Sequence, residues 1–538
     1  MRRTRVGRRA DVSGLDVRRL RAGALWTFMG GSGITIAQFL LGLVLARLLS
    51  PSDFGEFIAV TSITSVLLLF AQIGMPQTLV RTKELASEQF NAAFWTMTVG
   101  AVLTAGAIAL VAAPLSRLFD APHFAHIAYG MCFAFLIIPY NGVAMAILRR
   151  RMMFDVAARI SVWSFAATVP STILLAATGF GPFALVAGAI ASMLTTSLLV
   201  AGATRWRPAK PAFMPIAPLW GYARYAMFNS AMSMLNSRVD NLLVGSRLGV
   251  QNLGVYNRAY SLARIPTDQF GEGMFQILFS SLSRVQDDCK QSRDLSSTAI
   301  VLISSLTSPF LVVLALCGPG IVGLLYGKEW YGAGEPLQVM AVGGALIVVS
   351  ITLRGLISAQ GLVKQLFGVH AWNLAVTSGV VLGLSPFGLT AVAAGITLKE
   401  GVTVFLMTRI LRSTAVAFSL AEIGHILAPV VLAAIIAFLA GGLLFTEIGG
   451  ARDVWLFEAF RLGAMTAFVF GVYLTALVVV ALVWTGHGPL QASRALVAGT
   501  AREAARTLWE RLGRHRGERG NEAAAEVALA FSKPQRCE

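Results

Sequence analysis

Arg264, Asp268, Glu272 and Gln276 follow one another at intervals of four residues inside an otherwise apolar stretch. On a helix that interval stacks side chains on one face, so Arg264 and Asp268 can pair, and Tyr260 extends the line. The other face carries Leu262, Ile265, Phe270, Phe275 and Leu278. Taking an ionisable group to the middle of a bilayer costs on the order of 3 kcal/mol, so such groups persist where they meet water or one another. The stripe therefore either lines a water-filled cavity or forms a salt-bridge ladder between helices. The preceding apolar stretch holds Arg238, Asp240 and Asn241. Residues two apart on a helix do not face each other, so Arg238 and Asp240 need partners elsewhere, and Arg258 is a candidate partner for Asp240. Lys399 and Glu400 are neighbours in a later stretch. Adjacent residues diverge by about 100° on a helix, so at least one of them faces inward. Arg354 either faces inward too or snorkels to the membrane surface.

Bond-making chemistry finds little support. Gly323 to Lys328 is a near miss to a phosphate-binding loop, lacking the hydroxyl residue and the spacing. There is no His-Glu-x-x-His, and the six histidines are scattered. The four cysteines, Cys132, Cys289, Cys317 and Cys537, are too far apart to suggest a disulfide or metal framework. No cofactor and no metal is expected. Asp53 and Glu56 lie where a membrane glycosyltransferase would carry a catalytic acid. Ser50-Pro-Ser-Asp53, however, is a helix-start signal with Ser or Asp as the cap, and no large outer loop is available for an acceptor.

The elements that position the charges are membrane helices. Of 538 residues, 56% are hydrophobic and 13% charged, and the mean hydropathy is +0.69. A soluble chain carries roughly twice that charged fraction. Apolar stretches long enough to span number about fourteen. They centre near Ile36, Val66, Thr104, Leu136, Thr168 and Ala191, then Met234, Gly271, Phe310, Leu346, Gly379 and Gly401, and finally Ala434 and Gly471. The net charge of +17 does not point to nucleic acid, because it concentrates in the two tails and in alternate loops. With the N-terminus inside, about 33 of the Lys and Arg residues fall on the cytoplasmic side and about six outside. Both termini are then cytoplasmic. Eight arginines precede the first apolar run, which is too long for a signal peptide and reads as a first span.

A repeat organises the whole. Ala46-Arg-Leu-Leu-Ser-Pro-Ser-Asp-Phe-Gly-Glu-Phe57 returns loosely as Ser246-Arg-Leu-Gly-Val-Gln-Asn-Leu-Gly-Val-Tyr256. An even number of spans separates the copies, so two halves enter the membrane in the same direction, related by an axis along its normal. Arg47 and Arg247 then sit near the outer surface, and Asp53 and Asn252 start the following helices. The expected fold is an all-α polytopic membrane protein. A basic cytoplasmic tail covers residues 1–21. Six spans follow in 22–204, a cytoplasmic linker in 205–220 and six more spans in 221–412. Two additional spans lie in 413–486, and a basic cytoplasmic tail occupies 487–538. In that tail Leu496, Val497, Ala504, Ala505, Leu508 and Leu512 alternate with arginines as in a surface amphipathic helix.

Several of these segments carry a family resemblance. Leu45-Ala-Arg-Leu-Leu-Ser-Pro-Ser-Asp-Phe-Gly55, Asp240-Asn-Leu-Leu-Val-Gly245, Leu253-Gly-Val-Tyr-Asn-Arg-Ala-Tyr260, Asn91-Ala-Ala-Phe-Trp95 and Leu148-Arg-Arg-Arg-Met152 look like the corresponding segments of bacterial polysaccharide exporters. Over roughly residues 20 to 412, the chain resembles the Wzx-like oligosaccharide flippases of the multidrug/oligosaccharidyl-lipid/polysaccharide exporter superfamily. The resemblance implies two six-helix lobes around a central cavity. It also implies movement of an undecaprenyl-pyrophosphate-linked oligosaccharide from the cytoplasmic to the periplasmic leaflet without ATP, for exopolysaccharide, capsule or O-antigen. Many members have twelve spans, so the last two here are extra. On this reading Arg238, Asn241, Arg258, Arg264 and Lys399 would meet the pyrophosphate or sugar. Asp240, Asp268, Glu272 and Glu400 would bind a coupling proton or sodium ion. The implied partners are the lipid-linked oligosaccharide, membrane lipids, and polysaccharide polymerase and export machinery. A peptidoglycan-precursor flippase, a cation-coupled drug or metabolite exporter, and a membrane glycosyltransferase are the alternatives.

Overall fold

A computed structural model describes residues 17–72, 74–82, 87–210, 217–282, 288–412, 414, 418–447 and 455–483. The end of the N-terminal tail and the amphipathic helix expected in 487–538 lie outside the described residues. Within them the chain is all helical: α1 Val17–Leu48, α2 Pro51–Gln72, α3 Met75–Arg81, α4 Ser87–Leu118, α5 Phe124–Arg150, α6 Phe154–Ala177, α7 Phe183–Thr204, α8 Ala217–Leu282, α9 Cys289–Tyr326, α10 Gly334–Ala359, α11 Val363–Leu384, α12 Leu389–Leu411, α13 Leu420–Glu447 and α14 Trp455–Val483. All the expected span centres fall in helices. Eleven helices among the described residues are long and apolar enough to cross a membrane. The correspondence differs at two places. α3 is a short additional helix. α8 takes up two expected spans and breaks at Gly249, where φ is 83°, a conformation that costs glycine nothing and other residues much. Its many charged and amide side chains keep α8 out of the eleven.

Local chemistry sets the ends. At the start of α2, the Ser50 hydroxyl accepts the Asp53 amide at 3.2 Å, while the Asp53 carboxylate accepts the Ser50 amide at 2.9 Å. This is a reciprocal capping box with Pro51 in the first turn. Ser419 and Glu422 repeat it at α13, with amide-to-oxygen distances of 2.9 and 3.1 Å. Asn252 does not cap its helix as expected. Its amide donates to the Leu248 carbonyl at 2.7 Å and so bridges the break at Gly249. Arg47 donates to the Leu324 and Leu325 carbonyls in the last turn of α9. Arg150, from the Leu148–Met152 segment, donates to the Leu79 and Thr82 carbonyls at the end of α3. Both satisfy carbonyls that a helix end leaves open.

The two copies of the repeat meet. A Cβ on Gly55 would lie 1.7 Å from the Val250 carbonyl oxygen, and one on Gly254 would lie 2.0 Å from that of Pro51. Each glycine thus touches the residue four before the other. α2 and α8 cross backbone on backbone, which only glycine permits at this distance. Trp330 is fully buried beside the crossing, donating its indole N–H to the Ala46 carbonyl at 2.9 Å. The main apolar core runs through both halves around this point, joining Leu45, Phe54, Leu253, Tyr256, Trp330 and Leu337. α13 and α14 dock on α9 through a separate core of Val312, Val313, Cys317, Met465, Val469 and Tyr473.

At the opposite end, Asn91 and Trp95 hold the chain that follows α7. The Asn91 amide N–H donates to the Lys210 carbonyl at 2.8 Å, its carbonyl accepts the Ala209 amide at 2.9 Å, and Trp95 donates to the Ala209 carbonyl at 2.9 Å. The side-chain amide pairs with the main chain as a neighbouring strand would, and Trp206 stacks on Tyr140 at 5.7 Å.

Candidate functional site

The sequence-predicted charges converge in the second half. A pocket of about 60 Å³ is lined by Asn236 and Asp240 from α8 before the break, and by Tyr260 and Arg264 after it. α10 contributes Met340 and Gly343, α11 Thr377, and α12 Ile396, Thr397, Lys399 and Glu400. The expected salt bridge forms: Arg264 Nη2 lies 2.7 Å from Asp268 Oδ1. Arg264 Nη1 also donates to the Tyr260 hydroxyl at 3.1 Å. Asp268 is 44% exposed and sits at the rim. Lys399 and Glu400 also pair, at 2.7 Å. Their backbone directions diverge as expected, but two long side chains bend together and both reach the pocket.

Asp240 is buried, and its partner is not Arg258. The Tyr256 hydroxyl donates to Asp240 Oδ2 at 2.9 Å, and the Asn241 amide donates to Oδ1 at 2.8 Å. Arg258 lies two residues beyond Tyr256, so its side chain leaves the helix on nearly the opposite side. There its guanidinium sits 4.0 Å over the Phe54 ring, 5.7 Å from that of Tyr326 and 5.8 Å from that of Trp330. Such contacts contribute about 0.5–2 kcal/mol where water is excluded. Arg258 Nε is buried without a hydrogen bond among the described residues, and so is Arg238 Nε. Asn241 is buried beside Asp240 rather than lining the pocket. Glu272 lies on α8 one turn beyond Asp268, but its side chain, like that of Gln276, is outside the described residues.

Tyr260 and Arg264 of the stripe line a pocket walled by α8, α10, α11 and α12. Arg258 is the charge that reaches across. It borders a different cavity, of about 570 Å³, lined mainly by α1, α2, α6 and α7 of the first half.

Sequence reasoning missed Tyr256 and the aromatic setting of Arg258. Tyr256 stands in the repeat beside Asn257 and Arg258, and nothing local marks it as the partner of Asp240. Trp330 carries no signal either, because Ala46 and Phe54, which it meets, are remote in sequence. Asp53 has a cap's hydrogen bonds, and Glu56 accepts the His123 amide at 3.0 Å.

A family profile described as polysaccharide biosynthesis protein matches residues 44–335, more than half of the chain. The lipopolysaccharide biosynthesis protein WzxC of Escherichia coli strain K12 is 23% identical over 402 residues, covering 73% of this chain and 79% of that one. The succinoglycan biosynthesis transport protein ExoT of Rhizobium meliloti strain 1021 is 25% identical over 365 residues, covering 66% and 72%. Among solved structures, the lipid II flippase MurJ in an inward closed conformation superposes with a TM-score of 0.65 at 13% identity, over 83% of this chain and 97% of that one. At that identity the likeness establishes the fold. The apolar spans, the shared fold and the matched profile agree: this is a multi-pass inner-membrane protein, and the chain belongs to the polysaccharide biosynthesis protein family.

Proposed function

We propose that this protein is a flippase carrying undecaprenyl-pyrophosphate-linked oligosaccharide from the cytoplasmic to the periplasmic leaflet for surface polysaccharide synthesis. The observation that carries the reading is the gathering of Asp240, Arg264, Lys399 and Glu400 around one pocket inside an apolar bundle. Charges in such a place mark the passage of a charged solute or ion. The pyrophosphate is the costly part to move through hydrocarbon. Arg238 and Arg258 have guanidinium nitrogens without partners, and Arg264 and Lys399 can exchange a carboxylate for a phosphate oxygen. A pocket of about 60 Å³ has room for an ion or two waters and none for a glycan. That size suits Asp240 and Glu400, which line it, to a coupling proton or sodium ion, and Asp268 and Glu272 further along α8 are proposed for the same role. One charge crossing the membrane potential gains about 2.3 kcal/mol per 100 mV, enough to bias a two-state cycle.

The arginine-rich N-terminus and alternate basic loops orient both termini to the cytoplasm. On this reading the repeat lies at the periplasmic end, where the crossing of α2 and α8 would act as the closure. Alternation would break the crossing and open the other face. Arg264→Ala and Lys399→Ala are each expected to abolish export in a complementation assay while the protein stays in the membrane. Normal export from both would overturn the reading. Mass spectrometry of the lipid that co-purifies with the protein identifies the cargo.

A further inference from the structure

We infer that the first-half cavity is a sugar-binding subsite, distinct from the charged pocket of the second half. This inference rests on the flippase reading. The cavity, about 570 Å³, falls within the 300–1,000 Å³ range of pockets that enclose small organic ligands. Its lining mixes apolar side chains with hydroxyl and amide groups, and Arg258 is its one charged residue. Ser164, Thr168 and Thr172 follow at intervals of four on α6, and Ser192 and Thr196 face them from α7. Gln38 enters from α1, and Arg258 stands at the edge nearest the second half.

The hydrogen bonds define what such a cavity takes. The Thr168 and Thr172 hydroxyls donate to the carbonyls of Ser164 and Thr168, at 3.2 and 2.8 Å. Thr168 keeps an oxygen lone pair free to accept, whereas Thr172 is buried against Gly188 of α7 and the Ser164 and Thr196 hydroxyls bond each other at 2.7 Å. The Ser192 hydroxyl, the Gln38 amide and the Arg258 guanidinium make no hydrogen bond among the described residues. Acceptors and donors therefore alternate around one space, with a single cation on one side. A ligand that joins hydroxyls, each both donor and acceptor, to an apolar face fits that lining. Phe54 and Phe57 supply an apolar surface on which the C–H face of a sugar ring packs. Arg258, held over Phe54 and free of any carboxylate, is placed for an oxygen of the phosphate attached to that sugar. The two halves thus divide the cargo: sugar in the first, charge compensation and ion in the second.

The test uses the purified full-length protein and two probes, undecaprenyl pyrophosphate and undecaprenyl-pyrophosphate-linked N-acetylglucosamine, with binding read by native mass spectrometry. The wild type is expected to prefer the sugar-bearing probe by about tenfold, the effect of one or two hydrogen bonds. Gln38→Leu combined with Thr168→Val and Ser192→Ala is expected to reduce that preference to within about twofold, with bare-lipid binding unchanged. A preference that survives the triple variant, or a wild type that binds both probes equally, overturns the subsite and leaves the flippase reading standing. Binding of neither probe sinks both. As a check independent of that variant's folding, Thr168→Cys is alkylated by a water-soluble maleimide and position 168 is followed by peptide mass spectrometry. The sugar-bearing probe is expected to slow the reaction at least about threefold and the bare lipid to leave it unchanged, the protection expected when bound ligand covers the site. Equal rates with the two probes count against the subsite.

Discussion

The two cavities sit in different halves of the chain and differ in chemistry. The second-half pocket is small and dense in charge, with Arg264 paired to Asp268 and Lys399 to Glu400. The first-half cavity is many times larger, lined by hydroxyls, and has one cation at its border. Charge inside a membrane is costly and must be compensated nearby, which draws side chains together and shrinks the space they enclose. Hydroxyls such as those of Thr168 and Thr172 satisfy themselves on their own helix, through the carbonyl four residues back, and only Ser164 and Thr196 bond across from α6 to α7. A cavity lined by them can stay open. The difference in size accords with the difference in chemistry.

The comparison can be broken at several points. The largest effect is expected in the second half. Lys399→Ala leaves the mostly buried Glu400 unpaired, and export should fall by at least about a hundredfold, since an uncompensated buried charge costs about 3–5 kcal/mol. Arg264→Ala leaves the more exposed Asp268 and should lose export through the missing cation, with the protein's stability little changed. Asp268→Asn, at the exposed rim, should be milder than Asp240→Asn in the buried interior. An equal loss from both would mean that burial does not set their importance. Next is the crossing that the halves share. Gly55→Ala and Gly254→Ala should each destabilise the protein by about 1–3 kcal/mol, as overpacking does, read as a lower melting temperature in detergent. Because the contact is reciprocal, the double variant should cost less than the sum. Strict additivity would mean that the two glycines do not share one contact.

Smaller effects separate architecture from function. Asp53→Ala removes the acceptor of the Ser50 amide and should cost about 1 kcal/mol of stability with export preserved. A complete loss of export from a stable Asp53→Asn protein would revive a catalytic reading of that residue. The smallest effect is expected from Trp95→Phe. It removes one hydrogen bond to the Ala209 carbonyl, about 1 kcal/mol, without touching either cavity, and export should stay near normal.

The helices were legible because a membrane leaves the backbone few alternatives. A run of apolar residues of sufficient length is a helix whatever its detailed composition. The Arg264–Asp268 pair was legible because spacing by four is a local rule. Spacing could not show that Asp240 would meet Tyr256, sixteen residues on and across the break at Gly249, nor that Arg258 would find Phe54, Tyr326 and Trp330 in other helices. Those contacts depend on how the helices pack. Lys399 and Glu400 show the limit of a direction rule: it describes where Cβ atoms point, and long flexible side chains reach back. The first-half cavity left no charged signature, only a spacing of hydroxyls on α6 that small-residue helix packing would produce equally well.

The crossing at Gly55 and Gly254 has one more consequence. Each copy of the repeat presents to the other the same surface that it receives, so residue i of one meets residue j of the other, and j meets i. This is the geometry of an isologous interface, the kind that joins two identical subunits about a two-fold axis. At this one crossing the chain makes with itself the kind of contact that two copies of a subunit make with each other, so a change at Gly55 or Gly254 is felt on both sides of it at once.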